Sequence, residues 1–267
     1  VKKSKETLVA LISDTHIGKL TSSFNVERAR KMMERWMDKI LRIKELLGSG
    51  YIFDELVVAS LGDINDGTEI YATQPHHQAI TNVLLQAEVA ADIIATQIKR
   101  AHEHFKNITF VGVAGNHGRA GKRAHEAANW DIATYKFMKA MLPKTRVVIN
   151  EHDDFLMVHK VKGHGLLLYH GHYIRMYAQV PWYGIITKVL KWAQSVRDGW
   201  RVACFGHFHS CGYTQLNGID IFLNGTLVTD DLYPMMTLGL LSSNKWWLFG
   251  VSERHPTTFK FDVDLER

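Results

Sequence analysis

Five apolar runs of strand length each end in a cluster of Asp, His and Asn, and no other feature constrains this chain as much. Leu8–Ile12 leads into Asp14-Thr15-His16, and Leu56–Leu61 into Gly62-Asp63-Ile64-Asn65-Asp66. Ile108–Val113 leads into Gly115-Asn116-His117, Leu166–Tyr169 into His170-Gly171-His172, and Val202–Phe205 into Gly206-His207-Phe208-His209. Continuous apolar runs are what strands buried on both faces look like. Amphipathic stretches separate them. Asn25–Leu47 sets Ala29, Met33, Trp36, Ile40, Ile43 and Leu47 at steps of three and four, with Asn25 as N-cap and Gly48 at the stop. Val83–Phe105 carries Ala87, Ala90, Ala91, Ile94 and Ile98 on one face, and Trp130–Met141 and Tyr183–Val196 complete the helices. Further strands are expected at Arg146–Ile149, Phe155–His159, Ile219–Leu223 and Trp246–Val251. The alternation reads as an α/β fold. With no repeat and no Pro-, Gly- or Ser-rich linker in 267 residues, one domain over 1–267 is expected. The Met and Trp residues of the first helix are expected in the core, a homodimer contact being the other use of such a face.

In α/β sheets ligand sites form at the C-terminal strand edge, so loops on a rigid sheet can bring these clusters to one point. Asp, His and Asn together offer carboxylate oxygen, imidazole nitrogen and amide oxygen. With no thiolate in the set, they suit Mn, Fe(II), Zn or a related divalent ion. Spacing i, i+2 on extended backbone would point Asp14 with His16, and His207 with His209, to one side. The seven candidate ligands are Asp14, His16, Asp63, Asn116, His170, His207 and His209. They are too many for one ion and suit two that share a carboxylate. Any one cluster alone reads as a turn or a surface pair; five in succession do not.

Composition narrows the setting. No run reaches the roughly 18 apolar residues of a membrane span. The basic start of the chain lacks the apolar core of an export signal. Two cysteines, Cys204 and Cys211, make no disulfide framework, so a cytoplasmic location is expected. A net charge of +5 permits a polyanionic partner.

The ordered set Asp14-x-His16, Gly62-Asp63-x-x-Asp66, Gly115-Asn116-His117, His170 and Gly206-His207-x-His209 resembles the calcineurin-like metallophosphoesterase superfamily. Asp14-Thr15-His16-Ile17-Gly18, Gly115-Asn116-His117-Gly118-Arg119 and Asn224-Gly225-Thr226-Leu227-Val228 are most similar to its nuclease-like members, the DNA repair exonucleases and related phage enzymes. The resemblance implies two packed mixed β-sheets flanked by helices, a four-layer sandwich. It implies two divalent metal ions, Mn(II) first, with Fe, Zn, Ni, Co or Mg as substitutes. Asp14, His16 and His209 would hold one ion, Asn116, His170 and His207 the other, and Asp63 would bridge them. Asp66 would orient a ligand. The implied reaction is hydrolysis of a phosphodiester, with nucleic acid (DNA or RNA) as substrate. Metal-activated water would be the nucleophile and His117 the general acid. For a phage-encoded enzyme, the cytoplasm is that of the host cell.

One departure stands out. The family usually has an acid after Gly-Asn-His, where this chain has Gly118 and then Arg119, leaving open what orients His117. Arg119 is expected to meet a substrate phosphate. The loop with Lys122, Arg123 and His125 would track a phosphate backbone or be solvated. His172 would support a ligand or touch substrate, His76 and His77 would line the cleft or lie in a loop, and His102 and His104 would be exposed. The competing functions are a phosphatase or cyclic-nucleotide phosphodiesterase on small phosphoesters, and a non-catalytic polymerase-accessory scaffold. Protein phosphatases of the superfamily usually carry Arg at the position of Gly67 and an acid at that of Gly118. Scaffolds typically lose ligands, and here all seven remain.

Overall fold

The computed structural model describes residues 3–125, 127–150, 156–178, 180–230 and 242–266. Its first sheet contains β1 (Ser4–Ile12), β2 (Tyr51–Ser60), β3 (Asn107–Gly112), β4 (Arg146–Ile149), β10 (Lys245–Val251) and β11 (Lys260–Asp264), in the order β11-β10-β1-β2-β3-β4. β1 to β4 run parallel, while β10 pairs antiparallel with both β1 and β11. The second sheet contains β5 (Leu156–Val161), β6 (His164–Tyr169), β7 (Trp200–Phe205), β8 (Gly212–Leu216) and β9 (Ile219–Leu223), in the order β5-β6-β7-β9-β8. Its parallel centre, β6-β7-β9, is edged by antiparallel β5 and β8.

Side-chain alternation sorts these strands into layers. Leu8, Ala10 and Ile12 of β1 face a core shared with α1 (Val26–Leu47), α2 (Val83–Ala101) and α3 (Trp130–Met141). Val9 and Leu11, one step out of phase, meet Leu166, Leu168, Val202 and Cys204 of the second sheet. The other face of that sheet, with Leu167, Tyr169, Ala203 and Phe205, is covered by Ile185, Val189 and Trp192 of α4 (Pro181–Ser195). The result is helices, sheet, sheet, helix, the expected four layers. Among the described residues no helix is long and apolar enough to cross a membrane.

The local signals act as read, with some adjustments. The Asn25 side chain accepts the Arg28 N–H at 2.9 Å and caps α1. Gly48 ends that helix in a right-handed conformation (φ −61°), not a left-handed one. Met32, Met33, Trp36 and Met37 are all buried, so the first helix spends its large residues on the core. α2 stops at Ala101, short of Phe105, because His102 to His104 leave the helix in a turn. His102 meets Thr145 Oγ1 at 2.8 Å, and His104 is exposed. The edge strands β8 and β11 are unforeseen, since neither has a continuous apolar run. Phe155, the expected start of β5, lies outside the described residues.

Trp36 and Trp246 join α1 to β10 edge to face, with ring centroids 6.0 Å apart and no solvent exposure. Trp36→Ala should therefore lower unfolding free energy by about 3–5 kcal/mol, the usual cost of emptying such a site. Urea denaturation followed by circular dichroism measures it.

Candidate metal centre

The five clusters converge where the two sheets meet at their C-terminal strand edges. Past the end of the β1–β2 pair the two chains remain bonded: Leu61 N–H to Ile12 O at 2.9 Å, Asp14 N–H to Gly62 O at 3.0 Å and His16 N–H to Asp63 O at 3.1 Å. Here the backbone is not extended. Asp14 (φ 51°), His16 (46°), Asp63 (51°), His207 (70°) and His209 (53°) all lie in the left-handed region. Asp14 and His16, like His207 and His209, therefore reach one side through left-handed turns and not through strand pleat. Each such residue costs on the order of 1–2 kcal/mol, and strain of this kind gathers at functional sites.

Among the described residues three ligand groups result, each with its atoms within 4.8 Å of one another: Asp14, His16 and His209; His16, Asp63 and His117; and Asp63, His170 and His207. His16 belongs to the first two and Asp63 to the last two. Asn116 joins the last group, with Oδ1 2.9 Å from His170 Nε2. Outer contacts set which atom faces inward. His170 Nδ1 lies 2.8 Å from Leu61 O, so it donates there and leaves Nε2 for the centre, 3.0 Å from Asp63 Oδ2. Asn116 Nδ2 donates to the Tyr71 hydroxyl at 2.7 Å, which turns Oδ1 inward. His207 N–H donates to both oxygens of Asp14, at 3.0 and 3.1 Å, and His117 N–H to Asp63 Oδ1 at 2.8 Å.

The donor set fits divalent cations. His16 Nε2 and His209 Nε2 point at each other 3.1 Å apart, and His209 Nε2 is 3.4 Å from Asp14 Oδ1. His16 Nδ1, His209 Nδ1 and Asp66 Oδ1 are buried without a hydrogen bond. With Nδ1 on the far side of each ring as the N–H, two Nε2 lone pairs turned toward each other and toward a carboxylate oxygen are what a cation would satisfy.

The electrostatics are those of a buried cluster of mixed sign. Burial, the largest influence on Asp63, would raise its carboxyl, but the charges of His170 and His117 hold it well below the ordinary range. Asp14 is likewise lowered against burial by its contact with His209. His170, although buried, is raised to about 9 by Asp63. Burial pushes His16 down to about 4, helped by the charge of His117. Burial, then the charge of His170, pushes His207 and His172 down to about 3.

What orients His117 is Asp66, assisted by Gln74. His117 Nδ1 lies 3.2 Å from the Asp66 carbonyl and 3.5 Å from its carboxylate, and Gln74 Nε2 is 3.2 Å from the same nitrogen. Asp66 also reaches His16 Nδ1 at 3.4 Å. Burial opposes charge on His117, yet Asp63 and Asp66 raise its pKa above the ordinary value. No acid fits at 118: a Cβ on Gly118 would sit 2.6 Å from Asn129 Oδ1. The carboxylate in that space is Asp131, from the first turn of α3. Its Oδ1 accepts the N–H groups of Ile64 and Asn65 and the Asn65 amide, each at 3.1 Å, and its Oδ2 accepts Gly115 N–H at 2.9 Å. Burial, then the charge of Asp63, lifts its pKa to about 6. Asp131 thus clamps the Asp63 loop to the Asn116 loop.

Asn224-Gly225-Thr226-Leu227-Val228 bolts the Asp14 turn in place. Thr226 Oγ1 and Leu227 N–H donate to Asp14 O at 2.7 and 3.2 Å, and Asn224 Nδ2 reaches Ser13 Oγ at 3.0 Å. Arg119 is half-buried, its Nε 3.4 Å from Asn116 O. His172 lies beside His170, with ring centroids 5.7 Å apart and the planes tilted by 40°. Lys122, Arg123, His125, His76 and His77 are exposed. Asp131, Gln74 and Tyr71 were not foreseen. The one signal for Asp131 was its place just after Asn129, a helix N-cap.

No family model and no curated protein matches the sequence. Among solved structures, the chain is similar to a novel archaeal phosphodiesterase at 10% identity, covering 96% of this chain and 99% of that one, with a TM-score of 0.43. It is similar to Vacuolar Protein Sorting 29 from Cryptosporidium parvum at 12% identity, covering 92% and 86%, with a TM-score of 0.42. A hypothetical protein from Pyrococcus horikoshii is similar at 10% identity, covering 97% and 88%, with a TM-score of 0.45. At these identities and TM-scores, the likenesses carry no chemistry over to this chain.

Asp131→Ala should loosen both ligand loops while keeping the helices and sheets. Mn(II) affinity is expected to fall roughly 10–100-fold, the usual effect of removing a group that holds ligands in place. Titration calorimetry checks it, and unchanged affinity would remove Asp131 from the centre.

Proposed function

We propose that this chain is a dinuclear-metal-dependent phosphodiesterase acting on nucleic acid. The observation that carries the reading is Asp63: a buried carboxylate grouped with His170 and His207 on one side and, on the other, with His117 and with His16, which itself belongs to the Asp14–His16–His209 group. Two divalent ions in those groups would neutralise phosphate oxygens and acidify the attacking water. The protein's own part is positional. Asp14, His16 and His209 form one end of the centre, and Asn116, His170 and His207 the other. His117 is fixed through Nδ1 by Asp66, and Nε2 carries a proton for the leaving oxygen in the imidazolium form, which Asp63 and Asp66 favour. Arg119, at the mouth, supplies a guanidinium to a phosphate.

Local geometry favours a diester over a phosphoprotein. Gly67 is left-handed (φ 73°), and any Cβ there would strike the His117 carbonyl, so no arginine can stand at that position. Nucleic acid is favoured by the net charge of +5 and by Lys122 and Arg123, exposed beyond Arg119. Retention of every ligand and of His117 favours an enzyme over a scaffold.

The test is Mn(II)-loaded protein on bis-p-nitrophenyl phosphate and p-nitrophenyl phosphate, with metal analysis alongside. The diester should be cleaved in preference, and about two ions per chain should be found, fewer in Asp63→Asn. His117→Ala should cut turnover by roughly 10²–10⁴-fold with metal content close to wild type. A wild type that holds no divalent metal at saturation would overturn the ligand assignment. A His117→Ala protein with full turnover would remove that residue from the reaction.

A further inference from the structure

Acidic residues are missing from one long segment. The chain has 27 Asp and Glu in 267 residues, yet none between 155 and 197. That segment carries Lys160, Lys162, Arg175, Lys188, Lys191 and Arg197, and it includes the candidate ligand His170. It spans β5, β6, α4 and the loop that joins β6 to α4. On the other helices cations are answered: Arg28 meets Glu266 at 3.0 Å, Arg30 meets Asp92 at 2.8 Å and Arg100 meets Asp38 at 2.5 Å. Within the acid-free segment, Lys162 reaches Glu55 at 3.4 Å. Among the described residues, none of Arg175, Lys188, Lys191 and Arg197 forms an ion pair.

The place of α4 gives that charge a use. Its outer stripe, Tyr183, Thr187, Leu190, Lys191 and Gln194, repeats at helical spacing and is exposed. The first turn of α4 is locked to two ligand-bearing loops. Any Cβ on Gly184 would strike the carbonyl of Arg175, in the loop after His170. One on Gly212, just past His209, would sit 2.7 Å from the Trp182 ring. At the other end, Ala193 and Val196 line a cavity with Trp200 and Ile219, the first residues of β7 and β9. The helix thus runs from the ligand edge of the second sheet to the opposite edge, a span of about 22 Å at ~1.5 Å per residue.

A surface of unanswered cations suits a polyanion, either a nucleic acid or an anionic membrane. A membrane takes a surface helix through an open apolar side. α4 has given its apolar side, Ile185, Val189 and Trp192, to the core, and its outer stripe mixes Thr187, Lys191 and Gln194 with Tyr183 and Leu190. Phosphates strung along a strand need only spaced cations and polar donors.

We infer that the outer face of α4 is a track for a phosphate backbone, holding nucleic acid that extends from the metal centre past Arg175 and along Lys191 to Arg197. This rests on the phosphodiesterase reading above. The test uses the full Mn(II)-loaded chain in two assays. Fluorescence anisotropy follows the binding of a long, labelled phosphorothioate single strand, which keeps its charge and resists hydrolysis, over a series of salt concentrations. Hydrolysis of bis-p-nitrophenyl phosphate reports the centre alone. Lys191→Glu/Arg197→Glu should raise Kd for the strand on the order of tenfold at low salt. Its slope of log affinity against log salt should be shallower than wild type by about 1.4, since each backbone contact to a single strand contributes roughly 0.7. Both kcat and KM for bis-p-nitrophenyl phosphate should stay at wild-type values. Affinity and slope unchanged in the double variant overturn the inference. So does wild-type binding that is indifferent to salt, an outcome that needs no variant and so does not depend on how one folds. A wild type that binds phosphatidylserine vesicles but not the strand also overturns it, and makes the face a membrane contact. Intact diester hydrolysis with no strand binding sinks this inference alone. Loss of wild-type diester hydrolysis sinks the reading beneath it.

Discussion

The centre depends first on Asp14, a carboxylate taken wholly out of water at the seam between the sheets. A buried charge costs several kcal/mol unless its surroundings answer it. Here the answer comes from the other sheet: the His207 N–H and the His209 ring follow β7, and Thr226 and Leu227, which bind the Asp14 carbonyl, follow β9. The two halves of the ligand set are therefore aligned by the packing that aligns the sheets. Val9 and Leu11, in one buried apolar cluster with Leu168 and Val202, fix the distance between β1 and the β6–β7 pair. Ligand geometry is inherited from the core.

Against this rigid frame, the ligand-bearing turns are locally unfavourable. Asp14, His16, Asp63, His207 and His209 occupy a backbone region that glycine would enter more easily. Glycine would bring no ligand, so the strain is held by hydrogen bonds to neighbouring loops. Asp131 supplies much of that restraint from a helix whose own first turn favours a negative charge. A carboxylate there serves the helix and the loops at once.

The fold was legible because five buried strands announced themselves twice, as an apolar run and by the polar cluster at its end, while β9 and β10 showed the apolar run alone. β8 and β11 lacked both marks. Gly-Tyr-Thr-Gln-Leu and Lys-Phe-Asp-Val-Asp are edge strands, half exposed, and their pattern is too short to separate from a loop. The candidate ligands could be picked out in chain order because Asp, His and Asn at successive turns are distinctive residue types, and the fold brings them together. The supporting residues could not. Asp131 acts on backbone N–H groups, Gln74 on a carbonyl and an imidazole, and Tyr71 on an amide. None sits at a spacing that distinguishes it from any other polar residue. The missing acid after Gly-Asn-His looked like a gap in the pattern. The structure shows a steric reason for it, since a Cβ at Gly118 would sit 2.6 Å from Asn129 Oδ1, which would have to shift.

The pairing of β10 with β1 has a consequence for how the molecule comes into being. Thr7 lies opposite Val251 and Ala10 opposite Leu248, so β1 gains its second neighbour only from a segment almost the length of the sequence away. During synthesis β1 to β4 can align while that inner edge is still bare, with main-chain donors and acceptors open to other chains. Contacts of such long range also close slowly, because loop entropy is lost before they form. β10, made long after β1 to β4, seals the sheet in its interior. A nascent chain halted before residue 245 would be aggregation-prone, with an unprotected edge beside the turn that carries Asp14 and His16.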